Sequence, residues 1–362
     1  MKVRQLETPL LADGLRVALA GFGPVAPACE PRLARALALD EPVTEPGAAV
    51  VVPTSGTTSE PRAVVLTAAA IIFAARATHT RLGGPGDWVC ALPTQHVAGL
   101  MTVARSVVAG TDVRFARGDL SDLPEPGERT YLSLVAAQLD RALDVPAQVG
   151  RLAGYAAVLL GGSAIPSGLV ARARAAGIRA VTTYGASETC GGCVYDGRPL
   201  DGVRVELDGE QIGLGGPMAF AGYRLRPDLT AAVLAGDLVR TSDRGVLLPD
   251  GSLQVLGRMD DVIISGGEKI DLAAVQRACD AAFGPPGAGG IAVLAVPDPR
   301  WGNRIVGLTT SALDLAEVQA RLEPVVGRAA VPKELRAVTA MAYTSLGKID
   351  RVALRRAWEG ER

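Results

Sequence analysis

The sequence predicts an α/β protein, a large N-terminal part of α/β layers plus a small β-barrel-like region, followed by a small α+β part at the C-terminus. Three observations carry this. Between residues 48 and 182 apolar strand-like runs alternate with helical ones, the pattern of helices layered on a largely parallel sheet. Between 190 and 256 the helices stop, and short β runs are split by glycine. Beyond 271 a helical run and two more strands return, in a segment of ordinary domain size.

Residues 1–47 contain one helical run at 32–39 and an acidic, proline-containing link at 41–47. Residues 48–52 are continuously apolar and read as a buried strand. It leads into a polar loop, Thr54, Ser55, Gly56, Thr57, Thr58, Ser59, Glu60, Pro61, Arg62, from which 62–66 returns as a strand. Residues 68–82 have helical spacing closed by Gly83, Gly84 and Pro85. A short strand at 87–92 reaches His96, and 97–109 is a helix stopped by Gly110. The alternation continues through strands at 111–115, 131–135, 156–160 and 178–182, with helices at 136–143 and 167–176. Two small-residue turns follow strands here, Gly161-Gly162-Ser163 and Tyr184-Gly185-Ala186-Ser187-Glu188-Thr189. In such sheets ligands gather where strands end at their carboxyl edge, and small residues let a planar base approach the backbone. The β region has runs at 203–207, 238–240, 246–248 and 253–256, and the last part has a helix at 271–282 and strands at 291–296 and 305–310.

Composition removes several classes of function. Of 362 residues 48% are hydrophobic and 21% charged, an ordinary globular balance. The net charge of −1 gives no basic excess for a nucleic-acid backbone or an anionic membrane surface. The uncharged runs 17–29 and 153–171 are interrupted by Gly and Pro, so neither is expected to span a membrane. Five cysteines, an odd number, fit a reducing compartment and a cytoplasmic location. Cys190 and Cys193 form a C-x-x-C, but with two histidines in the whole chain a zinc or redox site is not expected. Only Lys2, Lys269, Lys333 and Lys348 are lysines among 37 basic residues, which marks each as a candidate for a specific task.

The polar loop after the first buried strand can surround phosphate oxygens with hydroxyls and backbone N–H groups, and Arg62 adds a charge-assisted partner. A polar surface turn is the alternative, and no Walker spacing is present. His96 reads equally as a capping residue or as a pocket residue.

Thr54 to Arg62 resembles T-S-G-T-T-G-x-P-K-G, the phosphate loop of the adenylate-forming superfamily of acyl-CoA synthetases, with Ser59, Arg62 and Ala63 departing from it. Further stretches resemble that family in its order. Pro93, His96 and Gly99 match P-x-x-H-x-x-G, and Tyr184 to Thr189 resembles Y-G-x-T-E-T with Ser187 in place of the threonine. Thr241 to Gly245 resembles T-G-D-x-G with Ser242 in place of the glycine, the stretch from Gly257 to Glu268 matches G-R-x-D-D-x-I-x-x-x-G-E, and Gly347 to Arg351 matches G-K-x-x-R. The resemblance implies an enzyme that joins a carboxylic acid to AMP and passes the acyl group to coenzyme A. It implies ATP contacts from Thr54, Ser55, Gly56, Thr57, Thr58, Arg62, Gly162, Ser163, Tyr184, Gly185 and Thr189, with Asp243 and Arg258 on the ribose. Glu188 is then the Mg2+ ligand, His96 and Gly161 border the acid, and Lys348 is the catalytic cation. Asp260 is implied as a hinge, which divides the chain into 1–258 and a mobile domain at 259–362. Within the superfamily the resemblance is to the o-succinylbenzoate–CoA ligases of menaquinone biosynthesis, with a shortened N-terminus that leaves a homodimer open. The expected partners are therefore small molecules, a carboxylic acid, ATP and CoA. An adenylating ligase for another aromatic or fatty acid, or a non-catalytic nucleotide-binding relative, stay as alternatives.

Overall fold

The computed structural model describes residues 1–54, 62–165, 167–343 and 349–360. The N-terminal stretch holds more structure than its sequence announces: strand β1 (Arg4–Leu6), helix α1 (Thr8–Leu19), strand β2 (Val25–Pro27) and helix α2 (Pro31–Ala36). Pro9 and Gly14 look like helix breakers in sequence. Pro9 instead sits in the first turn of α1, where a missing N–H has no intrahelical bond to lose, and Leu11, Leu15 and Ala18 bury the inner face. The helix expected at 32–39 ends at Ala36, and Leu37 and Leu39 enter the core from the following turn.

Strands β3 (Ala48–Pro53) and β4 (Ala63–Thr67) form an antiparallel hairpin with Val51 opposite Val65. Both are almost wholly buried. Helix α3 (Ala68–Leu82), β5 (Asp87–Cys90), α4 (Val97–Ala109), β6 (Val113–Phe115), β7 (Thr130–Leu134), α5 (Ala136–Leu143), α6 (Pro146–Ala153), β8 (Ala157–Leu160), α7 (Ser167–Ala175) and β9 (Ala180–Ala186) continue the alternation. Strands β10 (Gly191–Tyr195) and β11 (Arg198–Pro199) follow, giving a seven-stranded sheet ordered β11-β10-β9-β8-β7-β5-β6. It is parallel from β9 to β6 and antiparallel at β10 and β11. Val89, Leu132, Leu134, Val158 and Leu160 pack against Leu139, Leu152, Leu169 and Ala173 of the covering helices. The expected α/β layers are borne out.

The β region contains β12 (Arg204–Asp208), β13 (Gln211–Gly215), β14 (Gly222–Tyr223), helix α8 (Pro227–Val233), β15 (Leu234–Ala235), β16 (Leu238–Leu247) and β17 (Leu253–Arg258). Strand β14 pairs with β4, completing a five-stranded sheet with β1, β2 and β3. The others make a second five-stranded sheet. Sequence spacing splits β16 in two around residues 241–245, yet its ten residues are one continuous strand.

The C-terminal elements are β18 (Val262–Ser265), β19 (Glu268–Asp271), α9 (Leu272–Phe283), β20 (Ile291–Asp298), β21 (Gly302–Thr309), α10 (Leu315–Val326), β22 (Leu335–Ala337) and α11 (Arg351–Glu359). Strand β20 is buried on both faces. Ile291 and Val293 face the core that holds Val275 of α9 and Leu322 of α10, while Ala292, Leu294 and Val296 pack with Leu354 and Trp358 of α11. Its continuous apolar run follows from that double burial.

The chain separates into two compact units. One comprises Met1–Asp208, Gly213–Thr241 and Leu247–Leu253, and the other Gly209–Ile212, Ser242–Val246 and the chain from Gln254 onward. Among the described residues no helix is long and apolar enough to cross a membrane.

Candidate active site

Because β5, β7, β8 and β9 are parallel neighbours, the segments that leave their carboxyl ends share one edge of the sheet. That edge gathers the Pro93–His96 segment after β5, Gly161 to Ser163 after β8, and the turn Ser187–Thr189 after β9. The sequence signals at those three places therefore converge. Gly161 and Ser163 are half-buried and Gly162 is exposed. The hydroxyl of Thr183 donates to Leu160 O at 3.0 Å, tying the start of the glycine turn to β9.

The turn after β9 is held rigidly from within. Thr189 is fully buried; its hydroxyl accepts from Ala186 N–H at 2.9 Å and donates to Gly191 O at 2.9 Å. That hydroxyl is committed to the turn, so Thr189 acts here as a positioning residue. Gly185 faces the returning strand so closely that a Cβ would lie 2.1 Å from Gly191 O. Tyr184 reaches Thr241, hydroxyl to hydroxyl, at 3.4 Å. Glu188 projects half-buried from this turn, and its backbone carbonyl accepts from Phe220 N–H at 2.9 Å.

The carboxylate of Glu188 accepts a 2.6 Å hydrogen bond from the hydroxyl of Tyr223 on β14. Burial, and then the Glu188 charge, push the Tyr223 pKa up, so the phenol remains a donor throughout the ordinary pH range. Arg62 lies with its guanidinium 5.6 Å from the centroid of the same ring. It is placed by the β3–β4 hairpin, whose loop is closed by Thr54 N–H donating to Arg62 O at 2.8 Å. Ser55, Gly56, Thr57 and Thr58 lie outside the described residues. Magnesium carried on a triphosphate needs only one or two protein oxygens, and Glu188 fits that demand with one oxygen held by Tyr223 and a second to offer.

On the other side of the edge, His96 stands at the N-cap position of α4, where its side chain makes no cap bond, and its backbone N–H donates to Pro93 O at 3.2 Å. The P-x-x-H-x-x-G spacing has a steric cause, since a Cβ on Gly99 would meet Pro93 O at 2.4 Å. Further along α4 the structure reveals a residue that sequence reading passed over. Arg105 is buried, stacks 5.1 Å from the Trp88 ring centroid, and its Nε has no hydrogen-bond partner. An arginine inside a helix with uncharged neighbours on either side was the available signal.

His79 is a core residue. It accepts from Trp88 Nε1 at 3.3 Å, and burial with the nearby Arg105 charge lowers its pKa to about 4. Cys190 and Cys193 are both free thiols, completely buried; burial raises the Cys193 pKa to about 12 and pushes Cys190 up as well. Neither is a ready thiolate.

In the second unit Arg258 pairs side by side with Asp260, Nε to Oδ1 at 2.7 Å and an Nη to Oδ2 at 3.1 Å, and stands 3.9 Å from Asp243. Burial pushes the Asp260 carboxyl up, but the Arg258 bond and charge outweigh it and the net shift is downward. The next residue, Asp261, forms an ion pair with Arg351. Lys348 lies outside the described residues. The chain around it returns at Ile349, which bridges to Tyr343, and Asp350 then caps α11 by accepting from Val352 N–H at 3.1 Å and Ala353 N–H at 3.0 Å.

Comparison with known proteins gives three kinds of likeness. The family of AMP-binding enzymes matches residues 12–239. A probable 2-succinylbenzoate–CoA ligase of Mycobacterium tuberculosis (strain ATCC 25618 / H37Rv) is 40% identical over 377 residues, covering 98% of this chain and 96% of that protein. Among solved structures, the o-succinylbenzoate CoA synthetase of Bacillus subtilis with the acyl-adenylate intermediate OSB-AMP superposes with a TM-score of 0.76 at 23% identity, over 95% of this chain and 80% of that one. The same Bacillus subtilis enzyme with ATP and magnesium ion gives 0.72 at 22% identity, over 95% and 81%. At that identity the structural likeness speaks for the fold.

Proposed function

The chain belongs to the family of AMP-binding enzymes, and from that premise we propose that it is an AMP-forming acid–CoA ligase acting on o-succinylbenzoate. A carboxylate is a poor acyl donor because oxide is a poor leaving group. In the first step a carboxylate oxygen of the acid attacks the α-phosphorus of ATP, the bond to the β-phosphate oxygen breaks, and pyrophosphate leaves. In the second the thiol sulfur of CoA, its proton lost, attacks the acyl carbon and AMP departs with the electron pair of the anhydride bond. The product is the CoA thioester used in menaquinone biosynthesis.

The observation that carries this reading is the arrangement of opposite charges about Tyr223. Arg62, at the end of the phosphate loop, and Glu188, at the end of β9, lie against one buried phenol. A triphosphate needs a cation for its oxygens and a carboxylate for the magnesium that travels with it. Bound magnesium would neutralise phosphate charge, with Glu188 as its protein ligand. The hydroxyls from Thr54 to Thr58 surround the phosphates, Gly162, Ser163, Tyr184 and Gly185 border the nucleotide, and Asp243 and Arg258 receive the ribose hydroxyls. Lys348 supplies charge where negative charge shifts in the transition state. His96 and Gly161 border the acid. Domain 259–362 turns about Asp260 between the two steps, withdrawing Lys348 and admitting CoA.

The choice of acid is supported by the printed name of the Mycobacterium tuberculosis relative. ATP, Mg2+ and CoA are then the small-molecule partners, and five unbridged cysteines accord with a cytoplasmic setting. Pyrophosphate exchange with a panel of acids tests the assignment. o-Succinylbenzoate is expected to exceed benzoate and long-chain fatty acids by far, and equal exchange with a fatty acid would contradict it.

A further inference from the structure

We propose that Tyr223 is a positioning residue for adenylation: its hydroxyl fixes one oxygen of Glu188 so that the other faces the metal, and the same phenol seats Arg62. This rests on the function proposed above and adds to it a residue outside the motifs named in the sequence analysis. The 2.6 Å separation between Tyr223 Oη and Glu188 Oε1 lies in the range of an O–H donor on an ionised carboxylate, the stronger class of hydrogen bond. Such a bond defines the orientation of a carboxyl group that a half-exposed glutamate would otherwise sample freely.

Tyr223 is itself held on every side. Its backbone pairs with Val64 of β4, and its N–H donates to Thr230 Oγ1 at 2.8 Å. Phe220 meets its ring edge-on, centroids 5.0 Å apart at 70°. The side chain is only 6% exposed, so rotation of the phenol would disturb packing on two strands. Arg62 immediately precedes β4, the strand with which β14 pairs, so adjacent strands carry the cation and the ring beneath it. At 5.6 Å to the centroid the guanidinium gains from the ring face. Without that seat, Arg62 and Glu188 are free to pair with each other, and each would lose the partner that ATP brings.

The two contributions separate in two variants. Tyr223→Phe keeps the ring and removes the hydroxyl; Tyr223→Leu removes both. Mn2+ is titrated into the intact protein with saturating ATP and bound metal is read by electron paramagnetic resonance, while metal-free ATP binding is read by calorimetry. For Tyr223→Phe we expect Mn2+ affinity to fall by about 10-fold or more, the scale for partners that orient a metal ligand, with metal-free ATP binding unchanged. Tyr223→Leu is expected to weaken both. In a Glu188→Gln background Tyr223→Phe should cost nothing further, because its target is gone. Thermal melting establishes that each variant is folded. Mn2+ affinity of Tyr223→Phe within twofold of the parent, or losses that simply add with Glu188→Gln, would overturn the inference while leaving adenylation intact. Failure of the parent protein to bind ATP at all would overturn the functional reading, and this inference with it.

Discussion

Glu188 and Asp260 each sit in a three-residue 3-10 turn at the end of a strand, and the two turns treat their carboxylates in opposite ways. Around Glu188, Ser187 and Thr189 are buried, the Thr189 hydroxyl ties the turn to both flanking strands, and a buried phenol from another sheet grips the carboxylate. Around Asp260 no residue of the turn is buried. Among the described residues its carboxylate, 59% exposed, pairs with an arginine two residues away that is itself 41% exposed. An exposed pair of this kind contributes about 0–1 kcal/mol. A metal ligand has to hold one geometry, whereas a pivot must give up its contacts cheaply, and the two turns suit the roles proposed for Glu188 and Asp260.

The largest effect expected lies beyond the pivot. Lys348→Ala should lower acyl-adenylate formation by roughly two orders of magnitude or more, the scale for removing one transition-state charge donor. Lys348→Arg should not rescue it, since a planar fork places its charge differently from a compact ammonium. Rapid-quench measurement of pyrophosphate release checks both, and near-normal release by either would remove the lysine from the first step. Thioester formation from preformed acyl-adenylate should survive in both variants.

The next effect belongs to the fixed region. His96→Ala should raise the Michaelis constant for o-succinylbenzoate more than that for ATP, because His96 is the residue proposed to border the acid. Steady-state kinetics with each substrate varied in turn provides the check. An unchanged dependence on the acid would return His96 to a purely structural part.

How much of this was legible in the sequence differs between the same regions. The parallel strands β5, β7, β8 and β9 are short runs rich in apolar residues and bounded by turns, and the candidate functional turns follow β5, β8 and β9 directly, so both fold and candidate site could be read locally. The link from Tyr223 to Glu188 could not. It joins residues 35 apart through a two-residue strand, and its meaning depends on the pairing of β14 with β4. Arg105 looked like an ordinary helical arginine until burial showed otherwise. Helix α1 was hidden by Pro9 and Gly14, and β13 by Gly213 and Gly215, which local propensity counts as breaks and tertiary pairing absorbs.

The smallest effect concerns stability. His79 is neutral in the fold with its pKa near 4, whereas the unfolded chain takes up its proton near 6.5. The unfolded state thus binds more protons between those values, and stability should fall as pH drops from about 6.5 towards 4. His79→Gln removes this contribution, so its melting temperature should decline less steeply than the parent's across that window. Parallel slopes would show that His79 does not carry the acid sensitivity.

The contrast between the proposed metal ligand and the proposed pivot is tested most directly by Asp260→Pro. Proline fixes φ near −65° and should trap a backbone that turns at this residue. In a single turnover with o-succinylbenzoate, ATP and CoA, the folded variant should release a burst of pyrophosphate like the parent and then fail to form thioester. Equal loss of both half-reactions in a folded protein, or loss of neither, would contradict rotation about Asp260.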